Sequence, residues 1–163
     1  EIDGKSYLVW TEAACHKYAG AKLKDGEIAC ALLQPVFEGE RLTYVDDDDP
    51  RLDTEVFGRT MLETLLFSKW CGSTDLGPFN LMVSEEGHVM QVDLGLSTDS
   101  QVRAYNAKGL TTSHRFKACY LRAAKAYAHR NRASVGDFIR RLAVCGMPMR
   151  KGVQMPRSLK ELF

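Results

Sequence analysis

The stretch DLGPFNLMVSEEGHVMQVDLG, residues 75–95, decides the predicted fold. Two short apolar runs flank a Glu-Gly turn, a pattern that predicts a β-hairpin. Asp75 and Asn80 precede the first predicted strand, and Asp93 follows the second. Because antiparallel strands return to where they began, we expect these three side chains to meet at one end of the hairpin.

The residue types at that end indicate a metal site. Two carboxylates and one amide supply hard oxygen ligands, which suit Mg²⁺ together with waters and substrate phosphates. The alternative interpretation is an acidic hairpin whose Asp residues are only solvated. The spacing of the three ligands favours the metal, since it is more specific than any single Asp.

The pattern D-x-x-x-x-N, then a hairpin, then D-L-G resembles the catalytic loop and metal loop of protein kinases and their relatives. The interval from Asn80 to Asp93 is especially similar to the phosphoinositide-kinase branch. The resemblance implies that Asp75 orients or deprotonates the acceptor hydroxyl. It also implies that Asn80 and Asp93 hold Mg²⁺ on the phosphates of ATP. Ser73-Thr74 stand where the family has His-Arg, and Leu94 stands where it usually has Phe.

Alternating apolar patterns and capping residues predict an α+β fold. The predicted order begins with a strand at 5–10, a helix from Thr11 to Leu23, a buried strand at 27–37 and a helix from Asp53 or Thr54 to Trp70. The hairpin follows, then a helix at 114–130 capped by Ser113. A short helix from Ser134 comes next, with Phe138, Ile139, Leu142 and Val144 on its apolar side. The tail from Met149 to Phe163 is basic and is expected to cap the surface. The acidic run 46–49 is expected to be a solvated loop, or else a docking site for basic substrate residues.

This order resembles a kinase from the second half of its small lobe onward. Residues 1–40 would be a partial small lobe and hinge, and residues 41–163 a mainly helical large lobe with the catalytic hairpin at 75–95. Residues 33–39 lie where such folds place the adenine-binding hinge. There the carbonyl of Pro35 and the backbone groups of Phe37 would contact the nucleotide, and the missing N–H of Pro35 does no harm. An ordinary core strand that ends in a turn is the alternative.

Two parts of a kinase site are not visible in the sequence. No G-x-G-x-x-G is present, and Trp10 stands where the strand Lys is expected. Glu12 is the candidate for the helix Glu of the cofactor site, although a first-turn Glu that favours the helix dipole is the simpler interpretation. Three explanations remain open: an upstream glycine loop in a longer protein, a substitute among the lysines at 17, 22 and 24, or a pseudokinase.

Composition restricts the classes of function. The formal net charge of +1 gives no overall sign of nucleic-acid binding. Five cysteines lie singly, which argues against zinc and for free thiols in a reducing, cytoplasmic compartment. No apolar run approaches the ~18 residues of a membrane span.

The leading hypothesis is an ATP- and Mg²⁺-dependent kinase with a protein hydroxyl as acceptor. Its brevity resembles the minimal kinases that bacterial pathogens deliver into host cells. The alternatives are a lipid or small-molecule kinase and a pseudokinase that acts as a binding module. The oligomeric state is left open.

Overall fold

The computed structural model describes residues 7–9, 33–35, 37–72, 76–92 and 116–163. The chain divides into two compact units, Glu1–Phe37 and Glu38–Phe163. Helices and a small antiparallel sheet occur together in the second unit, so the predicted α+β class is confirmed. None of the described helices has the length and apolar character that a membrane crossing requires.

The first unit contains a two-stranded antiparallel ladder. Strand β1 (Tyr7–Val9) pairs with β2 (Leu33–Pro35), with Tyr7 opposite Pro35. The two predicted strands are confirmed over these residues. The predicted helix that begins at Thr11 lies outside the described residues.

The second unit holds a three-stranded antiparallel sheet in the order β3-β4-β5. Strands β4 (Leu81–Val83) and β5 (Val89–Gln91) form the predicted hairpin. The turn between them includes Gly87, whose φ of 87° is accessible to glycine at little cost. Strand β3 (Glu40–Arg41) was not predicted, because its two exposed charged residues show no apolar alternation and pair with β4 only through the backbone.

Helix α1 (Glu55–Trp70) has the boundaries that the sequence predicts. The Thr54 hydroxyl accepts a hydrogen bond from the Phe57 N–H at 3.1 Å, which caps the helix. Gly72, with a φ of 65°, follows the last turn. The apolar face of α1 supplies much of the core, and five of its side chains are buried: Phe57, Met61, Leu62, Leu65 and Leu66.

Helix α2 (Ala118–Arg130) packs against α1 but begins later than predicted. The expected start at His114 is wrong because Lys117 is extended, with a ψ of 145°. The Lys117 ammonium instead donates to the Val45 carbonyl at 3.1 Å and pairs with Asp47 at 2.8 Å. Tyr120 is fully buried on the inner face of α2 and donates its hydroxyl to the Leu42 carbonyl at 2.8 Å.

Helix α3 (Val135–Val144) begins at the predicted cap. The Ser134 hydroxyl accepts from the Asp137 N–H at 3.1 Å, which caps the helix, and donates to the Asp137 carboxylate at 2.6 Å. Val144, predicted on the apolar face, is instead 89% exposed in the last turn. The C-terminal tail does more than cap the surface, because helix α4 (Leu159–Leu162) inserts the fully buried Leu162 into the core.

Candidate active site

At the end of the hairpin opposite its turn, the backbone of Asn80 makes two hydrogen bonds. Its N–H donates to the Gly77 carbonyl at 3.0 Å, and its carbonyl accepts from the Val92 N–H at 3.0 Å. Asn80 is the last residue of a 3₁₀ turn, Pro78–Asn80, and leads directly into β4. Leu76, which precedes that turn, is buried in the core. The backbone of Asn80 is therefore held on both sides, opposite the residue that precedes Asp93.

Two threonines of α1 hold the edge strand β5. The Thr60 hydroxyl accepts from the Val89 N–H at 2.9 Å and donates to the Val56 carbonyl at 2.8 Å. The hydroxyl of Thr64 donates to the Val89 carbonyl at 3.3 Å in a buried environment. The outer backbone groups of Val89 are thus satisfied by helix side chains in place of another strand.

The hairpin turn rests against the start of α1. A Cβ atom on Gly87 would lie 2.9 Å from the Thr54 hydroxyl oxygen, so the cap of the helix and the turn are in close contact. Within the turn, the Ser84 N–H donates to the His88 carbonyl at 2.9 Å. The Ser84 hydroxyl also accepts from the His88 N–H at 3.2 Å. These contacts give the hairpin a fixed position on α1.

Arg51 joins the acidic run to the sheet. Its Nε donates to Asp49 at 2.9 Å, its Nη2 donates to the same carboxylate at 2.7 Å, and its guanidinium also pairs with Glu40 of β3. The hydrogen bonds from Arg51 lower the pKa of Asp49, although partial burial opposes the shift. Asp49 also accepts from the Arg51 N–H at 2.9 Å and so caps the 3₁₀ turn Pro50–Asp53.

The acidic run is therefore not simply a solvated loop. Asp49 is bound to Arg51, and Asp47 is paired with Lys117 of the α2 N-terminus at 2.8 Å. Asp46 and Asp48 are exposed. Asp47 and Asp49 thus form ion pairs within the fold. A docking role for basic substrate residues stays a hypothesis that rests on Asp46 and Asp48.

The predicted site residues differ in how the structure describes them. Asn80 lies at the open end of the hairpin, as predicted. Asp75, Asp93 and Glu12 lie outside the described residues. Pro35 ends β2 and Phe37 is half-buried just after it, both in the first unit. Their contact with a nucleotide stays a prediction.

The residues that hold the hairpin in place were not among the predicted site residues. Thr60 and Thr64 are four positions apart on one face of α1, where β-branched polar residues interrupt an apolar surface. These two polar positions on an otherwise apolar helix face were the sequence signal that could have identified the supports of the hairpin. Within residues 37–72, 76–92 and 116–163, no three His, Cys, Asp or Glu side chains converge on a metal-sized space.

No protein-family model, curated protein or solved structure matches this chain.

Proposed function

We propose that this protein is an ATP- and Mg²⁺-dependent phosphotransferase with a hydroxyl acceptor. One observation carries the proposal: the Val92 N–H donates to the Asn80 carbonyl at 3.0 Å. Asn80 therefore lies opposite the residue bonded to Asp93. The chain reaches Asn80 from Leu76, which is bonded to Asp75, through a single 3₁₀ turn. The described chain neighbours of the two Asp residues are thus Val92, which is hydrogen-bonded to Asn80, and Leu76, which lies four positions before it, and this arrangement supports the proposal.

The donor set fits the proposed metal. Two carboxylates and an amide oxygen, together with water and phosphate oxygens, form the all-oxygen environment that Mg²⁺ prefers. When bound, Mg²⁺ would offset the negative charge that develops on the transferred phosphoryl group. Asn80 and Asp93 are the proposed protein ligands. Asp75 is the proposed residue that aligns the acceptor hydroxyl, which contributes through positioning.

The supports of the hairpin favour a site that needs accurate geometry. Thr60 and Thr64 attach β5 to α1, while Gly87 contacts the cap of the same helix. Catalytic ligands work best when rigid elements limit their displacement to about half an ångström. An edge strand bound by the half-buried Thr60 hydroxyl and the buried Thr64 hydroxyl meets that requirement better than an unsupported hairpin.

A protein hydroxyl is the first acceptor in the proposal, and a phosphoinositide is the second. The likeness of the Asn80–Asp93 interval to phosphoinositide kinases favours the second. The distribution of charge also favours it: residues 116–163 contain eleven Lys and Arg but only two acids, although the whole chain carries +1. A positive surface attracts anionic head groups.

The central experiment measures transfer of labelled phosphate from ATP. The intact protein is incubated with Mg²⁺ and with panels of proteins, phosphoinositides and small alcohols. Asp93→Ala should remove nearly all transfer, because the proposed metal loses a charged ligand. Asp53→Ala is the matched control, since Asp53 is an exposed acid that belongs to no proposed ligand or docking set.

Equal transfer by Asp93→Ala and the parent protein would refute the assignment. Transfer to one panel alone identifies the acceptor class. Loss of transfer in Asp53→Ala to the same extent as in Asp93→Ala would show that general loss of negative charge, and not metal binding, explains the effect.

The second candidate function is a pseudokinase that binds a partner. Trp10 at the expected Lys position and the missing glycine loop favour it. A thermal-shift assay separates the two functions, because an active site that binds nucleotide should raise the Tm with ATP and Mg²⁺ together more than with ATP alone. No Tm change with either ligand, together with no transfer, would support the pseudokinase.

A further inference from the structure

An open cavity lies in the helical part of the second unit, between the end of α2 and helix α4. The cavity has a volume of about 570 Å³. Three cationic or imidazole side chains line it, namely Lys125, His129 and Lys160, beside the apolar side chains of Leu159 and Phe163. Two alanines at the end of α2 complete the lining. Its size lies within the range of about 300–1,000 Å³ that is typical of small-molecule sites.

The backbone that forms one wall is held by a Schellman motif at the end of α2. The Ala133 N–H donates to the Ala128 carbonyl at 2.9 Å, and the Arg132 N–H donates to the His129 carbonyl at 3.3 Å. Arg132 adopts a φ of 49° at the position where glycine is usual. The chain therefore turns sharply beside His129.

The opposite wall is anchored in the core. Leu162 of α4 is fully buried, which fixes the neighbouring Leu159 and Phe163 at the edge of the cavity. The Lys125 ammonium lies 5.3 Å from the centre of the Phe163 ring. A cation and an aromatic face are thus already adjacent, a combination that suits a ligand with a charged group and an apolar group.

Among residues 37–72, 76–92 and 116–163, no acid forms an ion pair with Lys125 or Lys160. Residues 116–163 contain two acids, Asp137 and Glu161. Asp137 is bound to Ser134 and pairs with Arg140. The Glu161 carboxylate accepts from the Arg157 N–H at 2.8 Å. Neither acid lines the cavity. The described surroundings therefore leave a positive cavity with an apolar floor.

We propose that this cavity binds a small organic phosphate, a phosphate monoester attached to an apolar or aromatic group. The ammonium groups of Lys125 and Lys160 would bind the phosphate oxygens, and the imidazole of His129 would donate a further hydrogen bond. The apolar part would pack on Phe163 and Leu159. A free small molecule is the proposed ligand, because the cationic and the apolar side chains line one shared space. This site uses none of the residues of the proposed phosphotransferase centre.

The test is calorimetric titration of the intact protein with phenyl phosphate. We expect saturable binding, and we expect inorganic phosphate and phenol each to bind at least about fivefold more weakly, because each lacks one half of the ligand. The double variant Lys125→Gln/Lys160→Gln should weaken binding by about tenfold or more, since charge-assisted hydrogen bonds are lost. Lys151→Gln is the matched control, because Lys151 is exposed and lies outside the cavity lining.

Four results would overturn the proposal. One is a double variant that binds phenyl phosphate as tightly as the parent, and another is an equal loss in Lys151→Gln. The third is a loss of binding in Asp93→Ala, which would assign the ligand to the proposed phosphotransferase centre. The fourth is binding to phosphatidic acid vesicles without binding to phenyl phosphate, which would indicate a lipid surface. Retained phenyl phosphate binding in an Asp93→Ala protein without transfer activity would support two separate sites.

Discussion

Gly58 sets how closely helices α1 and α2 approach. It lies on the face of α1 that meets α2, and a Cβ atom at this position would lie 2.8 Å from the Ala123 carbonyl oxygen. The same Cβ would lie 2.9 Å from the Cβ of Tyr127. Because one obstacle is backbone and the other is the first atom of a side chain, neither can rotate away. Gly58→Ala should therefore force the helices apart.

The expected magnitude follows from two opposing terms. Alanine is favoured over glycine in a helix interior by about 0.8–1.0 kcal/mol. Over-packing of a well-packed core costs typically about 1–3 kcal/mol. Since both close contacts are with rigid parts of α2, we place the cost in the upper half of that range. The net loss in the free energy of unfolding is then about 1–2 kcal/mol.

Gly136→Ala is the matched control for this substitution. Gly136 is an exposed residue in the first turn of α3, and the nearest atom to an added Cβ is the Ser134 hydroxyl oxygen at 3.8 Å. The same chemical change should here raise the free energy of unfolding by about 0.5 kcal/mol, through helix propensity and a less flexible unfolded chain. Urea denaturation followed by circular dichroism measures both variants.

The test compares the sign of the change in the free energy of unfolding between the two variants. If Gly58→Ala is stabilised as much as Gly136→Ala, the close approach of α1 and α2 does not depend on glycine. If both variants are destabilised equally, the effect does not come from the contacts with Ala123 and Tyr127.

Three further substitutions probe packing, backbone strain and charge. Tyr120→Phe should cost about 1 kcal/mol in urea denaturation, because it removes the buried hydroxyl that donates to the Leu42 carbonyl, and an unchanged value would contradict that bond. Arg132→Gly should raise stability by about 0.5–1 kcal/mol, since the left-handed backbone costs a side chain roughly 1–2 kcal/mol and glycine flexibility returns part of it; a lower Tm would refute this. The Arg51 guanidinium lowers the pKa of Asp49, so their pairing stabilises the fold above the unfolded pKa near about 3.9 and is lost as the pH falls through the lower folded value. Asp49→Asn should therefore lose less stability than the parent between about pH 5 and pH 2 in the same assay, and an identical pH slope would contradict the pairing.

Elements with a strong local pattern were predictable from the sequence. The hairpin strands and the boundaries of α1 and α3 follow from apolar alternation, a Glu-Gly turn and the capping residues Thr54 and Ser134. These signals act between residues only a few positions apart, and the chain satisfies them without distant partners. The position of Asn80 at the hairpin end follows from the same local pairing.

The start of α2 was not predictable in this way. Lys117 has a good helix propensity, yet it remains extended and pairs with Asp47, which is distant in the sequence. The position of Val144 was also misjudged, because periodicity identifies an apolar face but not whether another element covers its last turn.

The sequence by itself determined where the hairpin and helix α1 form and where α3 begins, since caps, turns and alternation are short-range interactions. Tertiary structure decided what holds the hairpin: Thr60 and Thr64 bind the β5 backbone across 25 or more positions. It also decided that α4 enters the core and that a positive cavity forms beside it. A buried backbone group must find a partner, but many distant residues can supply one, so only the packed fold selects which of them does.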